Sequence, residues 1–533
     1  MPNSRPFGAI AAIILGATSQ VSVAQEATSV VQTDKGEIQG LKQDGVDAFL
    51  GIRYAAPPTG ERRFKAPVEA EAWTGIADAT GYGAPCMQLY SPSGPRTTDL
   101  TREMQAFFPT FAESKIDNED CLFLNIWTPD ATGGSRPVMV WFHGGGYAYG
   151  SGNWPAYNGR NLAEKGDVVV ITVNHRLNAF GYLNLSERFG EDYAQSGNVG
   201  NLDLVRALEW VRDNVASFGG DPGNVTIMGE SGGGSKVSHL MAMPAAQGLF
   251  HKAIVQSGPG VTSGKADEAA AYASAILEKA GVKTVEQLHA LPAEDLIAAV
   301  RAATPPGSGL GRGPRLGPIA DGAVVPRDPF VPQAPAQARD IPLLIGYNKD
   351  EMTLFLAAQP WFGTLDDAAL DAMAASMDED FAKTVAAYRS VFPDYSPTHI
   401  ASAALGRRFV NGTYLLADQQ SRSASAPVFV YRLTWETPVA GGALKSPHTL
   451  DIPLMFNNVE RSRALVGPGA EPELMAQMMS DAWIAFARSG HPKSDLLPYW
   501  PPYDVDKRYV MELDIEPRPV SDPESEVRTL GTR

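Results

Sequence analysis

The stretch Val225–Gly233 reads Val-Thr-Ile-Met-Gly-Glu-Ser-Gly-Gly, in which four apolar or β-branched residues run directly into the pattern Gly-x-Ser-x-Gly. A strand that enters this pattern and is followed by small residues predicts a strand–turn–helix unit, in which a tight turn exposes the Ser231 hydroxyl. Glycines flank the serine because a side chain there would collide with the turn or crowd a substrate. The stretch predicts a nucleophile, provided that the chain also supplies a base, an acid and oxyanion donors.

The composition is that of a globular protein, and its acidic balance argues against a general nucleic-acid binder. The chain has 533 residues, of which 44% are hydrophobic and 20% are charged. This length and composition allow a large buried core. The formal net charge of −16 opposes binding to nucleic-acid phosphates, so no nucleic-acid partner is expected.

The first 24 residues are predicted to be a cleavable signal peptide. Arg5 gives a positive start, residues 7–17 form a short apolar run, and Ser22-Val23-Ala24 places small residues before a cleavage site. The apolar run is too short to cross a bilayer, and no later stretch is long and apolar enough to do so. We expect an exported domain over residues 25–533, secreted or periplasmic, with no membrane span.

The cysteine and histidine usage predicts one disulfide and no metal site. Cys86 and Cys121 are the only cysteines, and an even pair in an exported chain indicates a bridge. The eight histidines include no His-Glu-x-x-His pattern, so neither a metal nor another cofactor is expected. Between the cysteines, Phe107, Phe108 and Phe111 either line a pocket or pack the loop down.

Apolar runs of strand length alternate with helical patterns along the chain. Strands are predicted at residues 119–126, 138–142, 167–173, 253–255, 343–345 and 428–433. Helices are predicted at residues 204–215, 266–280, 285–303, 365–390 and 472–488. This alternation is typical of an α/β fold with a large, mainly parallel sheet flanked by helices.

A serine of ordinary pKa needs a base within hydrogen-bond reach and an acid that orients the base. In hydrolases with this serine turn, the acid and then the histidine follow the serine along the chain. The late candidates for the base are His399, His448 and His491. His399 follows Ser-Pro-Thr at a predicted helix start and His491 follows the terminal helix, so both are expected at capping or surface positions. We favour His448, because it follows the strand at 428–433 on a loop with Gly and Pro, where a catalytic side chain can be displayed.

The acid and the oxyanion donors have candidates after two other strands. The strand at 343–345 runs towards Asp350 and Glu351, and spacing alone leaves both open as the acid. The strand at 138–142 ends in His143–Gly146, which contains three glycines. These glycines either form a flexible loop or turn backbone N–H groups towards an anion.

Three blocks of the sequence resemble the type B carboxylesterases, the cholinesterase-like branch of the α/β-hydrolases. They are Glu119–Asn125 around the second cysteine, Phe218–Gly233 around the serine, and the proline-containing block Phe49–Pro67. The resemblance covers nearly the whole chain after the signal peptide. It implies an α/β-hydrolase fold with helical insertions that shape a pocket, and hydrolysis of small-molecule carboxylic esters through an acyl-enzyme intermediate.

The resemblance also assigns roles to single residues. It implies a triad of Ser231, Glu351 and His448, and it thereby chooses Glu351 over Asp350. It implies oxyanion-hole donors at the backbone of Gly145, Gly146 and Gly232. It implies supporting side chains around the triad at Glu230, Ser257 and Asp451. It implies structural ion pairs of Arg63 with Glu119 and of Arg176 with Asp203.

The sequence departs from the family pattern in two ways. No tryptophan lies between Cys86 and Cys121 or within Gly258–Gly264, where cholinesterases place tryptophans that bind cationic substrates and restrict the acyl pocket. Acetylcholine is therefore not expected as the substrate. Lys236 lies on the predicted helix after Ser231, where the family usually has a small residue.

Two alternatives stand beside a general carboxylesterase. An esterase for bulky or anionic esters, such as polycarboxylates, would use Arg312 or Arg315 of the loop 304–318 to bind a carboxylate. A cholinesterase-like binding protein without activity would typically lack the serine or the histidine, which are both present. The sequence leaves open whether the protein is a monomer or a homodimer.

Overall fold

The computed structural model describes residues 26–89, 117–305, 314–377 and 379–529. The strands in these residues are β1 Val31–Gln32, β2 Glu37–Gln39, β3 Leu41–Gln43, β4 Val46–Arg53, β5 Ile76–Asp78, β6 Phe123–Thr128, β7 Arg136–Phe142, β8 Val169–Val173, β9 Gly220–Glu230, β10 Lys252–Gln256, β11 Gly264–Lys265, β12 Ile319–Ala320, β13 Leu343–Asn348, β14 Val428–Leu433, β15 Tyr509–Leu513 and β16 Arg518–Ser521. The α-helices are Arg160–Gly166, Asn178–Tyr182, Ser186–Phe189, Val199–Asn214, Gly232–Ala242, Ala266–Ala280, Val285–Ala290, Ala293–Ala303, Thr353–Leu356, Asp367–Met377, Glu379–Val391, Pro397–Ser423, Asp451–Met455, Arg463–Val466, Ala470–Ser489 and Ser525–Arg528.

One large sheet organises these elements. Its eleven strands among the described residues follow the order β16-β15-β14-β13-β10-β9-β7-β8-β6-β4-β3. The strands from β8 through β7, β9, β10, β13 and β14 to β15 are parallel to their neighbours. Antiparallel strands complete both edges. The predicted α/β fold with a large, mainly parallel sheet is confirmed.

Side chains alternate between the two faces of the sheet along each strand, and a core cluster buries each face. On β7, Val140 belongs to a core cluster that includes apolar residues of the helix Val199–Asn214. Its neighbour Trp141 belongs to the cluster on the other face, with apolar residues of the helix Ala470–Ser489. No helix in the described part of the chain has both the length and the apolarity to cross a membrane.

The helical insertions are more finely divided than the sequence predicts. Each of the six predicted strands has an observed counterpart, but the predicted helix 285–303 is two helices, Val285–Ala290 and Ala293–Ala303, separated by a break that contains Pro292. The predicted helix 365–390 is likewise two helices, Asp367–Met377 and Glu379–Val391. The start of the long helix Pro397–Ser423 was predicted at Ser-Pro-Thr but its length was not, and Ser396 caps this start by accepting from the His399 N–H.

Covalent and ionic contacts hold the amino-terminal part of the chain. Cys86 and Cys121 form a disulfide with their Cα atoms 4.9 Å apart. The phenylalanines at 107, 108 and 111 lie outside the described residues. The two ion pairs that the resemblance implied are present and largely buried, between Arg63 and Glu119 and between Arg176 and Asp203.

Candidate active site

Ser231 occupies a strained turn between β9 and the helix Gly232–Ala242. Its backbone has φ 56° and ψ −121°, which a residue with a side chain rarely adopts. The Ser231 N–H donates to the carbonyl oxygen of Gln256 at 2.8 Å, so the turn is held by the end of the neighbouring strand β10. The side chain is left partly exposed at the carboxyl edge of the sheet.

The glycines on either side of the turn have no room for a side chain. A Cβ on Gly229 would lie 2.5 Å from the backbone carbon of Gly233. A Cβ on Gly233 would lie 2.0 Å from the carbonyl oxygen of Phe142 on β7. The Gly-x-Ser-x-Gly pattern therefore follows from the close approach of the helix to two strands.

His448 and Glu351 form a buried pair near this edge. His448 Nδ1 lies 2.5 Å from Glu351 Oε2, and Glu351 Oε1 accepts from the Asn348 N–H at 2.8 Å. Both side chains are almost fully buried. The rings of Phe355 and Phe409 pack on the imidazole with centroid distances of 4.9 and 5.2 Å. These contacts restrict the ring and favour a proton on Nδ1.

Asp350, the other acid that spacing allowed, makes different contacts. Its Oδ1 accepts from the Tyr395 hydroxyl at 2.8 Å and its Oδ2 accepts from the Ser446 N–H at 3.3 Å. Burial raises the pKa of Asp350 to about 6. The carboxylate that contacts the imidazole is therefore that of Glu351, and Asp350 ties the loop before His448 to the end of β13.

The two other late histidines have structural contacts. His399 bonds to the Ser396 hydroxyl at 2.8 Å and to the carbonyl oxygen of Ala443 at 3.0 Å. The ring of His491 packs on Phe429 with a centroid distance of 4.7 Å. Neither histidine contacts Ser231 in the described part of the chain, so both act as local packing and capping groups.

A second carboxylate lies on the other side of the His448 ring. Glu230 Oε1 is 3.1 Å from His448 Nε2, although the two atoms are not aligned for a hydrogen bond. Among the described residues, no hydrogen bond joins Nε2 to the Ser231 hydroxyl. Catalytic hydrogen bonds often tighten only when substrate binds.

The cluster has strongly perturbed protonation. Burial lowers the pKa of His448, but the charges of Glu230 and Glu351 raise it to about 9 overall. Burial raises the pKa of Glu230 to about 8, against the opposing effect of His448. Since the groups interact strongly, they share protons as a unit.

Asp451 anchors the strand ends behind the histidine. Its Oδ2 accepts from Gln256 Nε2 at 2.7 Å and from the Tyr431 hydroxyl at 2.8 Å. Asn348 Nδ2 approaches Oδ1 at 3.4 Å and also donates to the Pro447 carbonyl at 2.7 Å. Asp451 thus connects the ends of β10, β13 and β14 to the loop that carries His448.

Ser257 lies directly behind the nucleophile turn. It has a positive φ of 49°, and its N–H donates to the Gly346 carbonyl at 2.8 Å. Its Oγ is buried without a hydrogen-bond partner among the described residues. A Cβ on the next residue, Gly258, would lie 1.8 Å from the carbonyl oxygen of Ser231, so this segment supports the turn by close backbone contact.

The glycine loop after β7 lies against the start of the helix that follows Ser231. Gly145 and Gly146 have φ values of 82° and 63°, which favour glycine. A Cβ on Gly232 would lie 2.2 Å from the carbonyl oxygen of Gly146. The backbones of the three predicted oxyanion glycines are therefore brought together beside the serine.

Several residues of the site were missed by sequence reasoning. Phe409 lies in the helix Pro397–Ser423, of which only the start was predicted, and Asn348 gave no signal beyond its position at the end of a predicted strand. Arg312 lies outside the described residues, and Arg315 is exposed. The use of these arginines in binding a carboxylate stays a prediction.

The large parallel sheet with a serine at a strand-to-helix turn defines an α/β-hydrolase. The model of the Carboxylesterase family matches residues 27–529. The para-nitrobenzyl esterase of Bacillus subtilis is 36% identical over 507 residues, covering 94% of this chain and 97% of that protein. The phenmedipham hydrolase of Pseudarthrobacter oxydans is 35% identical and covers 91% of this chain and 95% of that protein. A Geobacillus stearothermophilus carboxylesterase structure superposes with a TM-score of 0.80 at 37% identity, covering 94% and 99% of the two chains.

The chain belongs to the carboxylesterase family and is a carboxylic ester hydrolase of the serine type. The resemblance to type B carboxylesterases is confirmed over nearly the whole chain. Neither alternative, the esterase specialised for bulky or anionic esters and the binding protein without activity, is favoured by these similarities.

Proposed function

We propose that Ser231 is the nucleophile, His448 the general base and Glu351 the acid that orients it. The observation that carries this assignment is the buried His448–Glu351 pair, whose Nδ1 and Oε2 atoms are 2.5 Å apart, near a serine held in a strained turn. The carboxylate keeps the proton on Nδ1 and stabilises the imidazolium that forms when Nε2 accepts the serine proton.

The reaction then takes two steps. Ser231 Oγ attacks the ester carbonyl carbon as its proton passes to His448 Nε2, and the tetrahedral intermediate collapses when His448 returns the proton to the leaving alcohol. Water, deprotonated by the same nitrogen, then hydrolyses the acyl-enzyme. The N–H groups of Gly145, Gly146 and Gly232 bind the oxyanion, and one such donor contributes about 3–4 kcal/mol at this stage.

Three other polar residues support the triad in this proposal. Glu230 stabilises the imidazolium from the Nε2 side, where it lies 3.1 Å away. Asp451 positions the loop that bears His448 through its bonds to Gln256 and Tyr431. Ser257 holds the backbone behind Ser231, as its strained conformation and its bond to Gly346 suggest.

A phosphonate ester probe tests the assignment of the nucleophile. Such a probe forms a stable phosphorus–oxygen bond with an activated serine. We expect one phosphonyl group per chain, on the peptide that contains Ser231, and loss of esterase activity in proportion to the labelling. Full labelling that leaves ester hydrolysis intact, or labelling at another residue, would contradict the assignment. Protein unfolded in denaturant is the control and should not be labelled.

The carboxylate of Glu230 is expected to control the pH dependence of the reaction. Because Glu230 raises the pKa of His448, Glu230→Gln should lower that pKa, so the base stays neutral at lower pH. The acidic limb of the kcat/KM profile should move to lower pH by about one unit, equivalent to about 1.4 kcal/mol. The profile is measured with an uncharged ester.

Asp451→Asn is the matched control for this shift, because Asp451 makes a smaller contribution to the pKa of His448. Its acidic limb should move less than that of Glu230→Gln. An unmoved limb in Glu230→Gln, or one that moves to higher pH, would contradict the proposed coupling.

We propose that the substrates are uncharged esters similar in size to para-nitrobenzyl esters, for which one relative is named. We also propose that residues 1–24 are removed on export to the periplasm or medium, where the Cys86–Cys121 bridge persists. The mature chain over residues 25–533 is then one catalytic domain, a monomer or a homodimer.

A further inference from the structure

Lys236 is a buried lysine that the proposed mechanism does not use. It lies on the helix Gly232–Ala242 and is 0% exposed. Its Nζ donates to the carbonyl oxygen of His143 at 2.8 Å. Burial holds its pKa well below the usual value, and no carboxylate among the described residues forms an ion pair with it. Burying an amine without an acidic partner costs free energy, so the burial of Lys236 against the His143 carbonyl requires an explanation.

The neighbouring residue on the same helix makes a parallel contact. Ser235 Oγ and the Tyr147 hydroxyl are 2.7 Å apart. Lys236 Nζ also lies 5.5 Å from the centroid of the Tyr147 ring, within range of a cation–π contact. His143 and Tyr147 are the residues that flank Gly144–Gly146. Two consecutive helix residues therefore hold the two ends of the glycine loop, and we refer to Ser235 and Lys236 as the loop clamp.

The glycine loop needs such external contacts. Gly145 and Gly146 have positive φ values and no side chains with which to anchor themselves. The loop nevertheless approaches the nucleophile helix so closely that a Cβ on Gly232 would lie 2.2 Å from the Gly146 carbonyl oxygen. Since oxyanion donors act only when they are about 3 Å from the developing charge, small shifts of this loop should affect the rate.

We propose that the loop clamp positions the oxyanion loop relative to Ser231, with Lys236 acting through the His143 carbonyl. Lys236 is then a positioning residue, which touches neither substrate nor triad. Because the helix that carries the clamp begins directly after the nucleophile, the clamp sets the distance between the attacking oxygen and the oxyanion donors. The inference rests on the proposed oxyanion hole of Gly145, Gly146 and Gly232.

The test replaces the amine with an uncharged side chain of similar length, Lys236→Met. We expect kcat/KM per active site to fall by about ten- to a hundredfold, because a misplaced loop stabilises the oxyanion less well. KM should change by less than about threefold, since the ground state does not use these donors. A trifluoromethyl ketone, which forms a tetrahedral oxyanion with the serine, should lose affinity by the same factor as kcat/KM.

Two further variants separate positioning from folding. Tyr147→Phe removes only the hydroxyl that bonds to Ser235. It should lower kcat/KM and the affinity for the ketone by equal factors, each smaller than in Lys236→Met. Val237→Ala alters a fully buried neighbour on the same helix without removing either clamp contact. It should lower thermal stability while leaving kcat/KM and inhibitor affinity per active site unchanged. Active sites are counted in every variant by phosphonate titration.

The outcomes distinguish three cases. Parallel losses of kcat/KM and ketone affinity support the clamp. Wild-type values per titrated site in Lys236→Met overturn it, as does a loss confined to stability or to the number of titratable sites. If Lys236→Met does not fold, Tyr147→Phe decides by the same two constants. Failure of the wild-type protein to be labelled at Ser231 would instead overturn the proposed function and not the clamp alone.

Discussion

Replacement of Ser231 with alanine is expected to lower kcat for ester hydrolysis by about 10⁵- to 10⁶-fold. The variant loses the attacking oxygen, so no acyl-enzyme forms, and the remaining rate comes from water attacking a bound, polarised ester. KM or the affinity for a non-reactive ester analogue should change little, since the binding surface and the oxyanion donors remain. The rate is measured with excess substrate over long incubations, and phosphonate labelling is measured in parallel.

Ser238→Ala is the matched control for this substitution. Ser238 lies on the same helix and is fully buried, and its Oγ donates to the Gly234 carbonyl at 2.9 Å. Its loss should cost some stability and leave both labelling and turnover close to those of the wild type. Ester hydrolysis by Ser231→Ala within about a hundredfold of the wild type would show that another nucleophile carries the reaction.

The fold was predictable because its signals are local. Most buried parallel strands appear as short apolar runs, and the nucleophile turn lies within nine consecutive residues. The parallel strand β15, Tyr509–Leu513, was not predicted. Only the start of the Pro397–Ser423 helix was predicted, although it is the longest helix described, because its interior mixes polar with apolar residues. Phe409 lies on this helix, and no pattern in the sequence indicates its contact with His448.

The site was predictable in its residue types and less so in its contacts. Asp350 and Glu351 are adjacent and chemically equivalent, so spacing could not choose between them. The choice depends on the position of the imidazole of His448, 97 residues later in the chain. Lys236 was visible as an unusual residue, but its partner is a backbone carbonyl 93 residues earlier, and backbone acceptors leave no trace in a sequence.

The second large prediction concerns the adjacent acids Asp350 and Glu351. Glu351→Gln should lower kcat/KM by about 10³- to 10⁴-fold, because an amide cannot stabilise the imidazolium and can hold His448 in the wrong tautomer. The stability of the fold should change much less, since the amide oxygen can still accept from the Asn348 N–H. kcat/KM is measured by steady-state kinetics, and the free energy of unfolding is measured by urea titration.

Asp350→Asn provides the opposite pattern from the neighbouring position. Asp350 bonds to Tyr395 and to the Ser446 N–H, and it does not contact the imidazole, so its replacement should cost stability and lower kcat/KM by less than about tenfold. A larger loss of kcat/KM in Asp350→Asn than in Glu351→Gln would reverse the assignment. Glu351→Asp sharpens the comparison, because it keeps the charge but withdraws it by one methylene. A partial recovery of kcat/KM relative to Glu351→Gln would show that the negative charge at Nδ1, and not packing alone, supports the base.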